Sequence, residues 1–233
     1  MKAGGGHSGC VVTTSTTGNL GQATRVDFIE LAWERSMETN RLEAFSDGVF
    51  AIAITLLILD IKVPPAANLG NELLQLWPSY LAYAISFVVI GAIWINHHAM
   101  FDWIDCVDQK LLLLNTLHLM FIAFLPFPTA VLAEALHSGF NQSTAAALYS
   151  GTLTVIGVFV TVMWSYASKH PELLNKSITP DRAKMIGRRF LIGPFGYALA
   201  TILAFVDPWI SIALFVVLNA YFLWPRNQGI GPA

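Results

Sequence analysis

The chain has 233 residues, of which 55% are hydrophobic and only 12% are charged, and its formal net charge is −2 at pH 7. Soluble domains carry about 25% charged residues, so this composition excludes a soluble enzyme and indicates an integral membrane protein surrounded by lipid. Nucleic-acid binding leaves a strongly basic footprint, so we expect no nucleic-acid partner.

Residues 1–36 precede the first apolar segment. They are rich in Gly, Ser and Thr and lack the apolar core of a secretory signal peptide. Low hydrophobicity is typical of disordered chain. We therefore predict a disordered tail over 1–36, one membrane domain over 37–226 and a short tail over 227–233.

The first predicted helix runs over 41–61 and is long enough to cross a bilayer, at roughly 30 Å. Its inner part holds Arg41, Ser46 and Asp47 ahead of an apolar run. An aspartate within such a helix costs about 2.5–3.5 kcal/mol on insertion scales, so it should face protein or water rather than lipid. We predict a functional or network-forming role for Asp47, with Arg41 and Ser46 as nearby partners.

Five further apolar segments follow and give an all-α fold with six transmembrane helices. Pro126 and Pro128 interrupt the third helix, and Asp207 with Pro208 forms a tight turn between the last two. The predicted spans cover 77–98, 111–132, 145–166, 190–206 and 209–224. An even number of crossings places both termini on one side of the membrane. With the termini in the cytoplasm, twelve of the thirteen Lys and Arg residues are inside and only Lys62 is outside, as the positive-inside rule requires.

The start of the first helix carries a long motif, Arg-x-x-x-Phe-Ser-Asp-Gly-Val-x-Ala-Ile-x-x-Thr, which begins at Arg41. This motif resembles the first-helix signature of the transmembrane protein 175 family, the lysosomal potassium channels and their prokaryotic relatives. The similarity continues through Trp94, His97 and His98, then Leu114 with Asn115, and the Pro-Phe-Pro run that begins at Pro126.

One face of the first helix repeats at intervals of three and four residues, as a pore lining must. Gly48, Ile52, Thr55 and Leu59 form this stripe, and Phe45 extends it inward. Isoleucine and leucine at this spacing are more often core packing, and that alternative stays open on periodicity alone. The family resemblance implies that the stripe lines a pore, with Ile52, Thr55 and Leu59 at its constriction.

The resemblance further implies a homotetramer in the plasma membrane that passes potassium and other monovalent cations and needs no cofactor. An apolar ring narrows and dewets a pore, while threonine hydroxyls offer oxygen to a partly dehydrated cation. The Thr-Val-Gly-Tyr-Gly carbonyl filter of other potassium channels is absent from the sequence.

A second set of residues is expected to hold the first helix in place rather than to touch the ion. Trp94 and His98 lie four apart on one helix face, and together with Asn115 they can donate to a buried carboxylate. Interfacial placement of Trp94 and His98 is the alternative. The predicted network comprises Arg41, Phe45, Ser46, Asp47, Trp94, His98 and Asn115. The adjacent His97 and His98 point to different faces, so we predict no metal site there.

The leading hypothesis is a passive potassium-permeable cation channel. A secondary transporter or proton-coupled carrier that protonates Asp47 and His98 is the alternative, although no inverted repeat supports it. A membrane enzyme is not expected, because no Ser-His-Asp or His-Glu-x-x-His arrangement occurs in the sequence.

Overall fold

The computed structural model describes residues 37–64 and 69–223. The predicted tails over 1–36 and 227–233 and the predicted end of the last span at 224 lie outside these residues. The elements in chain order are β1 (Met37–Glu38), α1 (Thr39–Leu56), α2 (Leu69–Gln75), α3 (Trp77–Phe101), β2 (Cys106–Val107), α4 (Gln109–Phe124), α5 (Pro126–Ser138), α6 (Gln142–Ala167), α7 (Pro180–Leu203) and α8 (Pro208–Leu223). Most of the described residues are therefore helical, as predicted.

The first helix does not remain α-helical to residue 61 as predicted. It changes to a 3-10 turn over Leu57–Asp60, and Ile61 then adopts an extended backbone. The helix cannot continue past Asp60, because Pro64 has no amide hydrogen for the Asp60 carbonyl and its ring would clash with that carbonyl. The end of the predicted stripe at Leu59 consequently lies on a tighter turn than its start.

The predicted interruption of the third span is confirmed at Leu125, which separates α4 from α5. Pro126 has no amide hydrogen for the Ile122 carbonyl, and the Leu125 amide bonds that carbonyl instead, at 3.1 Å. The buried side chains of Ser86, Thr129 and Tyr149 bond one another across α3, α5 and α6, with 2.9 Å between Ser86 Oγ and each of its two partners.

The helix that contains most of the fifth predicted span, over 190–206, begins earlier in the chain than that span. Helix α7 begins at Pro180, where the Thr179 side chain accepts a hydrogen bond from the Arg182 amide. Its first turns contain many charged residues, so a search for apolar segments does not detect them. The basic connection between α6 and α7 is correspondingly shorter than the predicted 168–189.

A short strand pair, which an all-α prediction did not include, ties together one end of the molecule. Met37 pairs with Val107 and Glu38 with Cys106, while Ile104 forms a bridge to Leu174. The start of α1, the end of α3 and the connection after α6 therefore meet at this end, which we call the strand end. Of the nine described Lys and Arg residues, eight lie toward the strand end, and Lys62 lies beyond the opposite end of α1.

Four helical stretches of the described residues are long and apolar enough to cross a membrane: Thr39–Asp60, Trp77–Phe101, Gln109–Ser138 and Gln142–Ala167. Helix α8 is a shorter apolar helix, and α7 has 24 residues but a basic beginning. The structure thus supports a polytopic helical membrane protein.

Candidate functional site: the first helix and its contacts

Helix α1 has one buried face and one exposed face. The buried face carries Leu42, Ser46, Phe50 and Ala53, at the three- and four-residue spacing of a single helix face, and it packs on α3 and α4. The predicted stripe of Gly48, Ile52, Thr55 and Leu59 lies on the opposite side, where Ile52 is 60% and Leu59 65% exposed. The stripe is therefore not part of the core of a single subunit. Phe45, predicted to extend the stripe, is exposed as well.

Thr55 combines a fixed hydroxyl with an exposed position. Its Oγ1 lies 3.0 Å from the carbonyl oxygens of both Ala51 and Ile52, so its proton is directed to its own helix. The hydroxyl oxygen keeps lone pairs that can face outward. A helix surface with a hydroxyl oxygen between two large apolar side chains can meet a cation that has lost part of its water shell.

The buried face of α1 is held by a chain of three polar side chains. The amide of Asn115 donates through Nδ2 to Ser46 Oγ at 3.1 Å, and Ser46 in turn donates to the Leu42 carbonyl at 2.8 Å. His97 Nε2 lies 2.8 Å from Asn115 Oδ1. Because that oxygen can only accept, His97 must carry its proton on Nε2. This buried triad (Ser46, Asn115 and His97) links α1 to α3 and α4.

His97 is the residue that the sequence prediction missed, since the predicted network contained His98 instead. His97 is 3% exposed, and its ring stacks on that of His118 with the centroids 5.5 Å apart. A sequence signal for this arrangement does exist: Val89, His97 and Met100 share the helical spacing of one face, and all three are buried. His118 itself is buried in the core.

Asp47, Trp94 and His98 form a second contact set on the surface of the subunit. Trp94 Nε1 donates to Asp47 Oδ1 at 2.8 Å, and the Trp94 and His98 rings stack with the centroids 6.0 Å apart. The structure thus brings Asp47 to Trp94, but not into a buried site. Arg41 is also exposed, and among the described residues it forms no ion pair with Asp47.

The part of the chain that contains α1 is similar to known proteins. Residues 41–126 match the family model described as endosomal/lysosomal potassium channel TMEM175. A potassium channel from Streptomyces collinus is 43% identical over 188 residues, which cover 79% of this chain and 91% of that protein. The chain belongs to the TMEM175 family.

Two further relatives extend the TMEM175 comparison. A crystal structure described as a lysosomal potassium-selective channel TMEM175 homologue from Chamaesiphon minutus aligns with a TM-score of 0.71 at 40% identity, over 79% of this chain and 95% of that one. An endosomal/lysosomal proton channel TMEM175 from Gallus gallus is 35% identical over 145 residues, which are 58% of this chain and 29% of that protein.

Membership of the TMEM175 family confirms the resemblance that the Arg41 motif indicated. The family match begins at Arg41 and includes α1, α3 and α4, so it contains the exposed stripe, the buried triad and the Asp47–Trp94 pair. The relatives are named as channels, and this TMEM175 protein is a transport protein of the membrane rather than an enzyme.

Proposed function

We propose that this protein is a potassium-permeable cation channel that conducts passively through a central pore lined by α1 in a homotetramer. The observation that carries the proposal is the exposed stripe of α1, which lies opposite the face that packs on the rest of the subunit. In a family whose bacterial relatives are named potassium channels, a surface that leaves apolar and hydroxyl groups uncovered suits a pore lining.

A pore lined by one helix from each subunit requires several subunits. A single helix cannot enclose a water-filled path, so several copies of α1 must surround one axis. We propose four copies, each crossing the membrane six times, with α7 and α8 as the last two crossings. The exposed Asp47 supports this assembly, because an aspartate side chain roughly 12 Å along a membrane helix must face protein or water.

The narrow part of the path is proposed at Ile52, Thr55 and Leu59. Rings of Ile52 and Leu59 side chains would form a hydrophobic constriction, and the Thr55 hydroxyls between them would provide oxygen for a partly dehydrated cation. Gly48 has no side chain and would leave the inner part of the pore wide. A Cβ added at Gly48 would meet no atom of the same subunit within 4 Å, so the space beside it is open. The buried triad and the Asp47–Trp94 pair would hold α1 at a fixed rotation.

We propose that the strand end faces the cytoplasm of the cell that makes the protein, with both termini inside and the plasma membrane as its location. Eight of the nine described basic residues lie toward that end, and the positive-inside rule assigns such an end to the cytoplasm. Arg41 and the start of the motif would then lie at the inner mouth of the pore.

The test is ion flux through the purified full-length protein in liposomes. Leu59→Ala should widen the constriction and raise the flux of both potassium and sodium, whereas Thr55→Val keeps the shape and should mainly lower discrimination between cations. Ile58→Ala is the matched control, because Ile58 lies on the same 3-10 turn and is 50% exposed but lies off the stripe.

Planar-bilayer recording separates a channel from a carrier, since a channel gives unitary current steps that reverse at the potassium potential. Proton flux is measured in the same vesicles, because vertebrate relatives are named proton channels. Parental flux in Leu59→Ala and Thr55→Val, or transport without unitary steps, would reject the proposal.

A further inference from the structure

The first turns of α7 carry a group of cations that the subunit itself does not pair. Residues 181–189 contain one acidic residue, Asp181, and four basic ones: Arg182, Lys184, Arg188 and Arg189. Among the described residues, none of the four basic side chains forms an ion pair or a side-chain hydrogen bond, although Asp181 is only three positions from Lys184. The positive charge of this segment is therefore available to a partner outside the described part of the subunit.

Two of these cations share one face of α7 with a row of apolar side chains. The row consists of Lys184, Arg188, Leu191, Phe195 and Ile202, whose spacings of four, three, four and seven residues place them on one side of a helix. All five are exposed, Phe195 by 72% and Ile202 by 66%. We call this row the α7 face. It starts with positive charge at the strand end and continues as an uncovered apolar surface.

The depth of the α7 face matches one leaflet of a bilayer. From Leu203, the last residue of α7, back to Arg188 the helix rises roughly 23 Å, and the turn to Asp207 adds the rest of a hydrocarbon core about 30 Å thick. Arg188 would then lie where the core meets the headgroups, with Lys184 about 6 Å further out. Helix α7 packs mainly on α6 and α8, whereas α1 packs on α3 and α4, so other helices lie between the α7 face and the proposed pore lining.

We propose that Lys184 and Arg188 bind the phosphate of an anionic phospholipid whose acyl chains lie along the apolar part of the α7 face. The guanidinium of Arg188 can donate two hydrogen bonds to phosphate oxygens, and the ammonium of Lys184 reaches the same layer from the preceding turn. Phosphatidylglycerol suits this pair better than phosphatidylcholine, because the choline group cancels the phosphate charge. The inference relies on α7 as a membrane crossing, as proposed above, but not on ion conduction.

The test is native mass spectrometry of the purified full-length protein in detergent, titrated with dioleoyl phosphatidylglycerol or dioleoyl phosphatidylcholine. Each basic residue near the headgroups strengthens binding of an anionic lipid about fivefold, so the parent should bind phosphatidylglycerol about 25-fold more tightly. Lys184→Gln/Arg188→Gln should abolish this preference and leave phosphatidylcholine binding within about twofold of the parent. Lys169→Gln/Lys176→Gln is the matched control. It removes the same charge from exposed residues of the connection after α6, at the same end of the molecule, and should retain the preference.

Two measurements on the parent test the proposal without any variant. Glycerol 3-phosphate should not displace phosphatidylglycerol at equal concentration, because it has no acyl chains to contact the α7 face. Raising the ammonium acetate concentration from about 0.1 to about 1 M shortens the Debye length from about 10 to about 3 Å and should reduce the preference.

Equal affinity of the parent for the two lipids would overturn the proposal, as would equal losses in the two double variants. Displacement by glycerol 3-phosphate would show a site for free phosphate instead, and a preference that salt leaves unchanged would contradict the role of the two cations. Because lipid binding is read without ion flux, a parent that conducts potassium but shows no lipid preference would refute this inference alone.

Discussion

Substitution of Asn115 by alanine should destabilise the fold more than its size suggests, because the residue joins three helices through one side chain. The substitution removes the contact of 2.8 Å to His97 and that of 3.1 Å to Ser46. Ser46 keeps its own acceptor, the Leu42 carbonyl, so it loses only an incoming bond. His97 Nε2–H is left buried without an acceptor.

The expected loss of stability comes from one buried donor without an acceptor, the Nε2–H of His97. An unsatisfied buried donor costs about 1–3 kcal/mol, and hydrogen bonds between membrane helices average about 0.6 kcal/mol in measured cycles. We therefore expect Asn115→Ala to lower the free energy of unfolding by about 1–3 kcal/mol. The Ser46→Ala/Asn115→Ala double mutant should lose about 0.6 kcal/mol less than the sum of the single losses.

Reversible unfolding in mixed micelles of sodium dodecyl sulfate and a mild detergent measures these differences. Thr116→Val is the control, since Thr116 is the exposed neighbour of Asn115 and its hydroxyl bonds only the Leu112 carbonyl of its own helix, at 2.9 Å. We expect the control to remain within about 0.5 kcal/mol of the parent. If Asn115→Ala is no less stable than Thr116→Val, the buried triad does not hold α1.

Three further outcomes follow from the structure. Arg41→Ala and Asp47→Asn should lower the yield of the proposed tetramer, measured by size-exclusion chromatography with light scattering, more than they change ion preference; a normal yield with altered selectivity would place these residues in the ion path instead. Thr161→Val should lower the free energy of unfolding by about 1 kcal/mol, because the lost hydroxyl lies 2.9 Å from the Gly157 carbonyl of its own helix and 3.1 Å from the Phe190 carbonyl of α7, to which Pro194 cannot donate; an unchanged value in the same micelle assay would contradict the role of that contact. In intact cells, a membrane-impermeant thiol reagent should label a cysteine introduced at Asn71 but not one at Lys176, and the reverse pattern would overturn the orientation.

Two features of the fold can be predicted from the sequence because each depends only on residues that are close together in the chain. The motif that begins at Arg41 and the spacing of Ile52, Thr55 and Leu59 predicted a helix with a distinct face, and that face is exposed. Pro126 likewise predicted the break between α4 and α5, since a missing amide hydrogen has the same effect in any fold.

Other features depend on contacts between distant segments, and these were missed. The choice of His97 rather than His98 depends on the contact with Asn115 of α4. The helical spacing of Val89, His97 and Met100 marks the buried face of α3 but does not identify that partner. The start of α7 at Pro180 was hidden by its charged early turns, although Thr179 followed by proline is a good helix-start signal. The strand pair of two residues on each side is too short for any alternation to reveal it.

Reaction of a cysteine on the stripe with a water-soluble thiol reagent tests the pore most directly. Thr55→Cys channels in a planar bilayer should lose their potassium current when a charged methanethiosulfonate is added, as should Ile52→Cys and Leu59→Cys. Val158→Cys is the matched control, because Val158 lies within the Gln142–Ala167 span and is 45% exposed on the subunit, yet lies off α1; its current should be unaffected, like that of the parent. If the three stripe cysteines ignore the reagent while potassium current persists, α1 does not line the conduction path.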